Sequence, residues 1–160
     1  MAGFKAGAKI RASTLNMTVV RYVATDNTAT IATGGTERTL AWSSAVTTNG
    51  NVTASGTNNT TFTLNKTGTW LCGFEHRWTF GTAPSTGDTF LYMYRVSGTL
   101  ILSGITNPSP VSNAPKQGCM FVRSFTSGDQ IQVRLRNSTN QILTLANNST
   151  CALTLAFLQG

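Results

Sequence analysis

The residues from Gln130 to Arg136 alternate without a lapse: Ile131, Val133 and Leu135 against Gln130, Gln132, Arg134 and Arg136. A two-residue period places one set on a buried face and the other in water, which is the signature of a half-buried strand. Ser127-Gly128-Asp129 precedes it as a tight turn, with Gly free to take positive φ and Asp able to bond its own backbone. The same grammar recurs along the chain. Trp70, Cys72, Phe74, His76, Trp78 and Phe80 share one face of a long strand, and Leu71, Gly73, Glu75, Arg77 and Thr79 share the other. Phe90, Tyr92, Tyr94 and Val96 line one face of the next. Shorter β-rich pieces fall at 18–24, 28–33, 39–43, 60–64, 99–103, 118–125, 141–145 and 150–158, with Gly, Asn, Asp and Ser between them. Residues 104–117 contain Pro108, Pro110 and Pro115 and are expected to form a surface loop, because proline cannot donate within a sheet. The expectation is an all-β chain of about eight to ten strands.

The chemistry available to such a chain is limited. Its 160 residues hold five acids and one histidine. Acid–base catalysis needs positioned titratable groups. A Ser-His-Asp arrangement would have to join His76 to Asp88 or Asp129, and there is no Gly-x-Ser-x-Gly nucleophile elbow. Gly34-Gly35 lacks the Lys-Ser/Thr of a phosphate loop. The acids lie far apart in turns and strand edges, so no metal site is expected. Cys72, Cys119 and Cys151 are widely spaced and form no Cys-x-x-Cys pair, so they do not read as zinc ligands; one disulfide with a spare thiol stays open. No catalytic residue, cofactor or metal is assigned.

Charged residues make up 11% of the chain, against about 25% in ordinary globular domains. That scarcity fits a protein packed into an assembly or one that lives outside the cell. The net charge of +7 reflects few acids more than many bases, and the basic residues are scattered, so nucleic acid is not the expected partner. Arg123, Arg134 and Arg136 are the one candidate basic strip, for contact with an acidic neighbouring subunit. The first residues lack the apolar segment of a secretory signal, and no run of eighteen apolar residues occurs, so no membrane partner is expected. Residues 1–17 are small, basic and partly apolar. They read as an N-terminal arm in which Phe4, Lys5, Lys9, Ile10, Arg11 and Leu15 dock on a neighbour, with 18–160 as a single domain.

The order of residues 37–80 and 118–158 narrows the fold. Glu37-Arg38-Thr39-Leu40-Ala41-Trp42 is followed by a polar loop with Asn49-Gly50, then Phe62-Thr63-Leu64, then Lys66-Thr67-Gly68-Thr69-Trp70 and the long aromatic strand. The C-terminal part reads strand, Gly128-Asp129 turn, alternating strand and a last apolar strand. This resembles the jelly-roll domain of the tumour necrosis factor and complement globular-head superfamily, which also occurs in virion proteins of tailed bacteriophages. Thr69 displaces the aromatic that usually follows the glycine there, and no Gly-X-Y repeat precedes the domain.

The resemblance implies a jelly-roll β-sandwich that forms a homotrimer, with one sheet of each protomer around the threefold axis. Trp70, Phe74, His76, Trp78, Phe90, Tyr92 and Tyr94 are the candidates for that interface or for the protomer's own core. The implied role is a non-enzymatic virion structural protein, assembled in the host cytoplasm as a capsid decoration (cement or minor capsid) protein. Its partners would be the major capsid protein or other virion subunits. The alternative is a tail-fibre or tail-tip head that binds a host-surface receptor or glycan through loops 47–59, 81–88 and 104–117.

Overall fold

The computed structural model describes residues 19–43, 50–108, 117–146 and 151–159. These residues hold thirteen strands: β1 (Val19–Val23), β2 (Asn27–Ile31), β3 (Thr36–Thr39), β4 (Val52–Ser55), β5 (Thr61–Leu64), β6 (Gly68–His76), β7 (Trp78–Phe80), β8 (Asp88–Arg95), β9 (Leu100–Pro108), β10 (Gln117–Phe125), β11 (Gln130–Asn137), β12 (Leu143–Ala146) and β13 (Ala152–Gln159). All the paired strands run antiparallel. One sheet has the order β1-β13-β6-β10; a six-stranded sheet has β4-β5-β11-β8-β9 with β3 added beside β11; a third, three-stranded sheet has the order β2-β12-β7.

The two larger sheets form the sandwich. Tyr22 and Trp70, Phe74 and Leu155 of the first sheet are buried, as are Phe62, Leu91, Ile131 and Leu135 of the second, and all belong to one hydrophobic cluster. Tyr22 of β1 meets Phe62 of β5 across the gap, ring centroids 4.6 Å apart. The alternation in β11 is obeyed residue by residue: Ile131, Val133 and Leu135 are at most 1% exposed. Burying such side chains contributes roughly 1.5–3 kcal/mol each.

Three expectations from the sequence change. The long aromatic strand is two strands, broken at Arg77. The Arg77 backbone N–H turns onto His76 Nδ1 at 2.9 Å, and its carbonyl accepts from Ala146 N at 3.1 Å. That step delivers Trp78 to the small sheet, where β7 pairs with β12. The strand expected at 39–43 lies earlier, at Thr36–Thr39, because the Asp26 carboxylate takes the Ala41 N–H (2.7 Å) and pulls the following segment out of the ladder. The loop expected from Gly104 begins later: β9 runs on to Pro108, opposite Asp88. Proline is tolerated there because β9 is an edge strand and its outer side needs no donor.

Candidate functional site

Four of the seven aromatic-face candidates lie inside the protomer. Trp70, Phe74, His76 and Trp78 are no more than 2% exposed, on the inner face of β6 and its continuation in β7. Trp70 donates its indole N–H to Lys66 O at 3.2 Å and sets its edge against Phe157 at 5.4 Å. His76 stands nearly perpendicular to Trp42, centroids 6.2 Å apart. Burial lowers its pKa, only partly opposed by the Arg77 backbone and the negative Asp26. It is a neutral core histidine. Asp129 is far from it, bound at the other end of the sandwich by Arg95, Ser97 and Thr126 N. Among the described residues no cluster of His, Cys, Asp and Glu is placed to hold a metal ion.

The other three candidates line the outer face of the six-stranded sheet. Phe90 and Tyr92 stack at 4.7 Å and Tyr94 meets Tyr92 edge-on at 6.5 Å. Gly104 makes this possible: a Cβ there would stand 2.6 Å from both Phe90 Cε2 and Tyr92 Cβ. Arg134 lies over the Tyr94 ring at 4.0 Å, puts Nε and Nη2 on Gln132 Oε1 (3.1 and 2.8 Å) and reaches Glu37 at 3.7 Å. Burial first, then Glu37, pushes the Tyr92 phenol up to about 12. Tyr92 is 2% exposed, while Phe90 and Tyr94 on either side of it are half-buried.

The proposed basic strip does not form as one unit. Arg134 and Arg136 are both on β11, and Arg136 packs over Gly35. Arg123 is on β10, in the other sheet, donating to Leu102 O at 3.3 Å. The six arm candidates, Phe4, Lys5, Lys9, Ile10, Arg11 and Leu15, lie outside the described residues.

The open surface is the outer face of the four-stranded sheet. Its register aligns Val19, Ala156, Leu71 and Val122 in one row across the strands, and Arg21, Thr154, Gly73 and Met120 in the next. Met120 is 68% exposed, Val122 58% and Val19 40%. Inboard of Met120 the face sinks into a depression of about 340 Å³ lined by Gly73, Glu75, Gly118, Met120, Ala152 and Thr154. Gly118 sits so tightly against β6 that a Cβ would come within 2.6 Å of Phe74 O. Sequence reasoning passed over this face. The signal was in β10, which is apolar on both sides: Cys119 and Phe121 pack on the core while Met120 and Val122 point away from it.

No family model matches the chain, and no curated protein matches its sequence. Its fold does match solved structures. A crystal structure of murine APRIL at pH 5.0 superposes with a TM-score of 0.66 at 14% identity, covering 88% of this chain and 98% of that one. The Eiger TNF structure from S. frugiperda superposes with a TM-score of 0.61 at 13% identity, covering 89% and 93%. The chain therefore has the TNF-like jelly-roll fold.

Proposed function

We propose that this protein is a non-enzymatic structural subunit of a tailed-bacteriophage virion. It acts as a homotrimer that decorates the capsid, with residues 1–17 as its docking arm on the major capsid protein or another virion subunit. The observation that carries the reading is the outer face of β1-β13-β6-β10. It exposes Val19, Met120 and Val122, with half-buried Leu71 in the row between Val19 and Val122. Contiguous apolar surface of this kind marks an interaction site. Met120 and Val122 project from an edge strand, and the glycine-floored depression lies beside them. A projection next to a recess lets the edge of one copy enter the face of the next, and threefold rotation closes that head-to-tail contact into a ring. The TNF-like fold, the low charge and the basic leader support the same reading.

Sedimentation equilibrium of the purified protein tests the trimer. The expected mass is three times the 17.0 kDa of the chain, and a monomer at micromolar concentration refutes it. Counting copies in purified particles tests the location: hundreds support capsid decoration. A few copies would favour the tail-head reading, which draws support from the turn Gly56–Asn59 and loop 81–87 gathering at the end away from Val19.

A further inference from the structure

The two ends of the sandwich differ in charge. At one end β1 starts at Val19 and β13 stops at Gln159, opposite Thr69. The turns there are short and tied together: Ser127 N bonds Thr67 Oγ1 at 2.9 Å, Gly128 N bonds Leu64 O at 2.8 Å, and Ser97 Oγ bonds Asp129 at 3.2 Å. From this braced platform the β8–β9 hairpin presents Leu100 and Ile101, 42% and 49% exposed. Thr99 beside them closes the hairpin turn with φ at 49°.

Charge separates along the same axis. Asp26, Glu37, Glu75 and Asp88 all lie toward the opposite end: Asp26 against Ala41, Glu37 opposite Arg136, Glu75 opposite Gly118, Asp88 opposite Pro108. The fifth acid, Asp129, is buried and paired with Arg95. Among the described residues the end carrying Val19 thus shows Lys66 and Arg123, and its one acidic side chain, Asp129, is the paired one.

We propose that this end is the docking surface, seated on a protein that offers carboxylates around an apolar recess, with Leu100 and Ile101 filling the recess. The proposal rests on the virion reading and deepens it by assigning which end faces the particle. Exposed aliphatic side chains beside basic ones fit a protein surface better than a phosphate backbone, which rewards charge alone.

Thiol labelling tests it, using Ile101→Cys and, at the far end, Thr86→Cys, each against the wild-type background and each compared between free protein and purified particle. Ile101→Cys is expected to label roughly tenfold more slowly in the particle, with Thr86→Cys unchanged. The reverse pattern, or equal rates for both, overturns the proposal while leaving the virion reading intact. Absence of the chain from every particle overturns both. The double variant Leu100→Ser/Ile101→Ser should keep the trimer mass and lose incorporation; retained incorporation counts against the recess. Tight, steeply salt-dependent binding of the free protein to a short random-sequence DNA duplex would also overturn it.

Discussion

Arg95 closes on Asp129 with two nitrogens, Nε at 3.1 Å and Nη2 at 2.5 Å from the same carboxylate oxygen. The other oxygen accepts the Thr126 N–H at 2.8 Å, so one acid ties the β8–β9 hairpin to the turn before β11. Burial alone would raise the Asp129 pKa, but the Thr126 N–H, Arg95 and Ser97 outweigh it and hold the carboxyl below its ordinary value. Asp129→Ala should cost about 2–3 kcal/mol, since it leaves Arg95 without its charged acceptor. Because the folded pKa is depressed, this stabilisation is present above the unfolded pKa, about 3.9, and fades as pH falls through the folded value. Urea titrations at neutral pH and at about pH 3 should show the wild-type and Asp129→Ala midpoints converging in acid.

His76 produces a separate pH dependence at higher pH. Its folded pKa is lowered, so the native state holds a neutral ring while the unfolded chain takes up a proton near pH 6.5. Stability is therefore level above about 6.5 and declines below it. Melting temperature measured from pH 8 to about pH 5 should fall for the wild type and stay flatter for His76→Phe. A parallel decline in both proteins would remove His76 as the cause.

The cysteines give a solvent-access test of the core. None is in a disulfide; Cys72 and Cys151 are fully buried, and burial pushes the Cys72 thiol up to about 12. Cys119 is half-buried, 3.1 Å from Ser103 Oγ. An aromatic disulfide reagent should find no more than one reactive thiol in the native protein and all three after denaturation.

Two backbone positions should respond in opposite directions. Gly104→Ala puts a methyl group into Phe90 and Tyr92 and should cost about 1–3 kcal/mol. Thr99→Gly relieves a left-handed β-branched residue and should stabilise by roughly 1 kcal/mol. Thermal unfolding of the two variants reads both signs.

The parts of the fold that were legible in the sequence are those where period two runs long. In β11 each alternate residue matches its face, and the aromatic face of β6 is the core side throughout. What escaped was set by contacts distant in sequence. Nothing local to Arg77 announces a strand break, which depends on Ala146 accepting a place beside it. Asp26 and Ala41 are likewise brought together only by the tertiary fold. Arg123 and Arg134 looked like neighbours because their strands are joined by one turn, yet that turn carries the chain from one sheet to the other. The exposed face was hidden for a different reason: Met120 and Val122 are apolar, and apolar residues in a strand are read by default as core.

The placement of four of the five acids toward one end of the sandwich has a consequence before any contact is made. A molecule with balanced charge at one pole and surplus positive charge at the other carries a permanent electric dipole along its strands. Near a negatively charged surface, within the screening length of about 10 Å at 0.1 M salt, that dipole exerts a torque. On the proposed docking, the protein would arrive already turned with Val19 and the β8–β9 hairpin foremost, so that fewer collisions are spent in the wrong orientation.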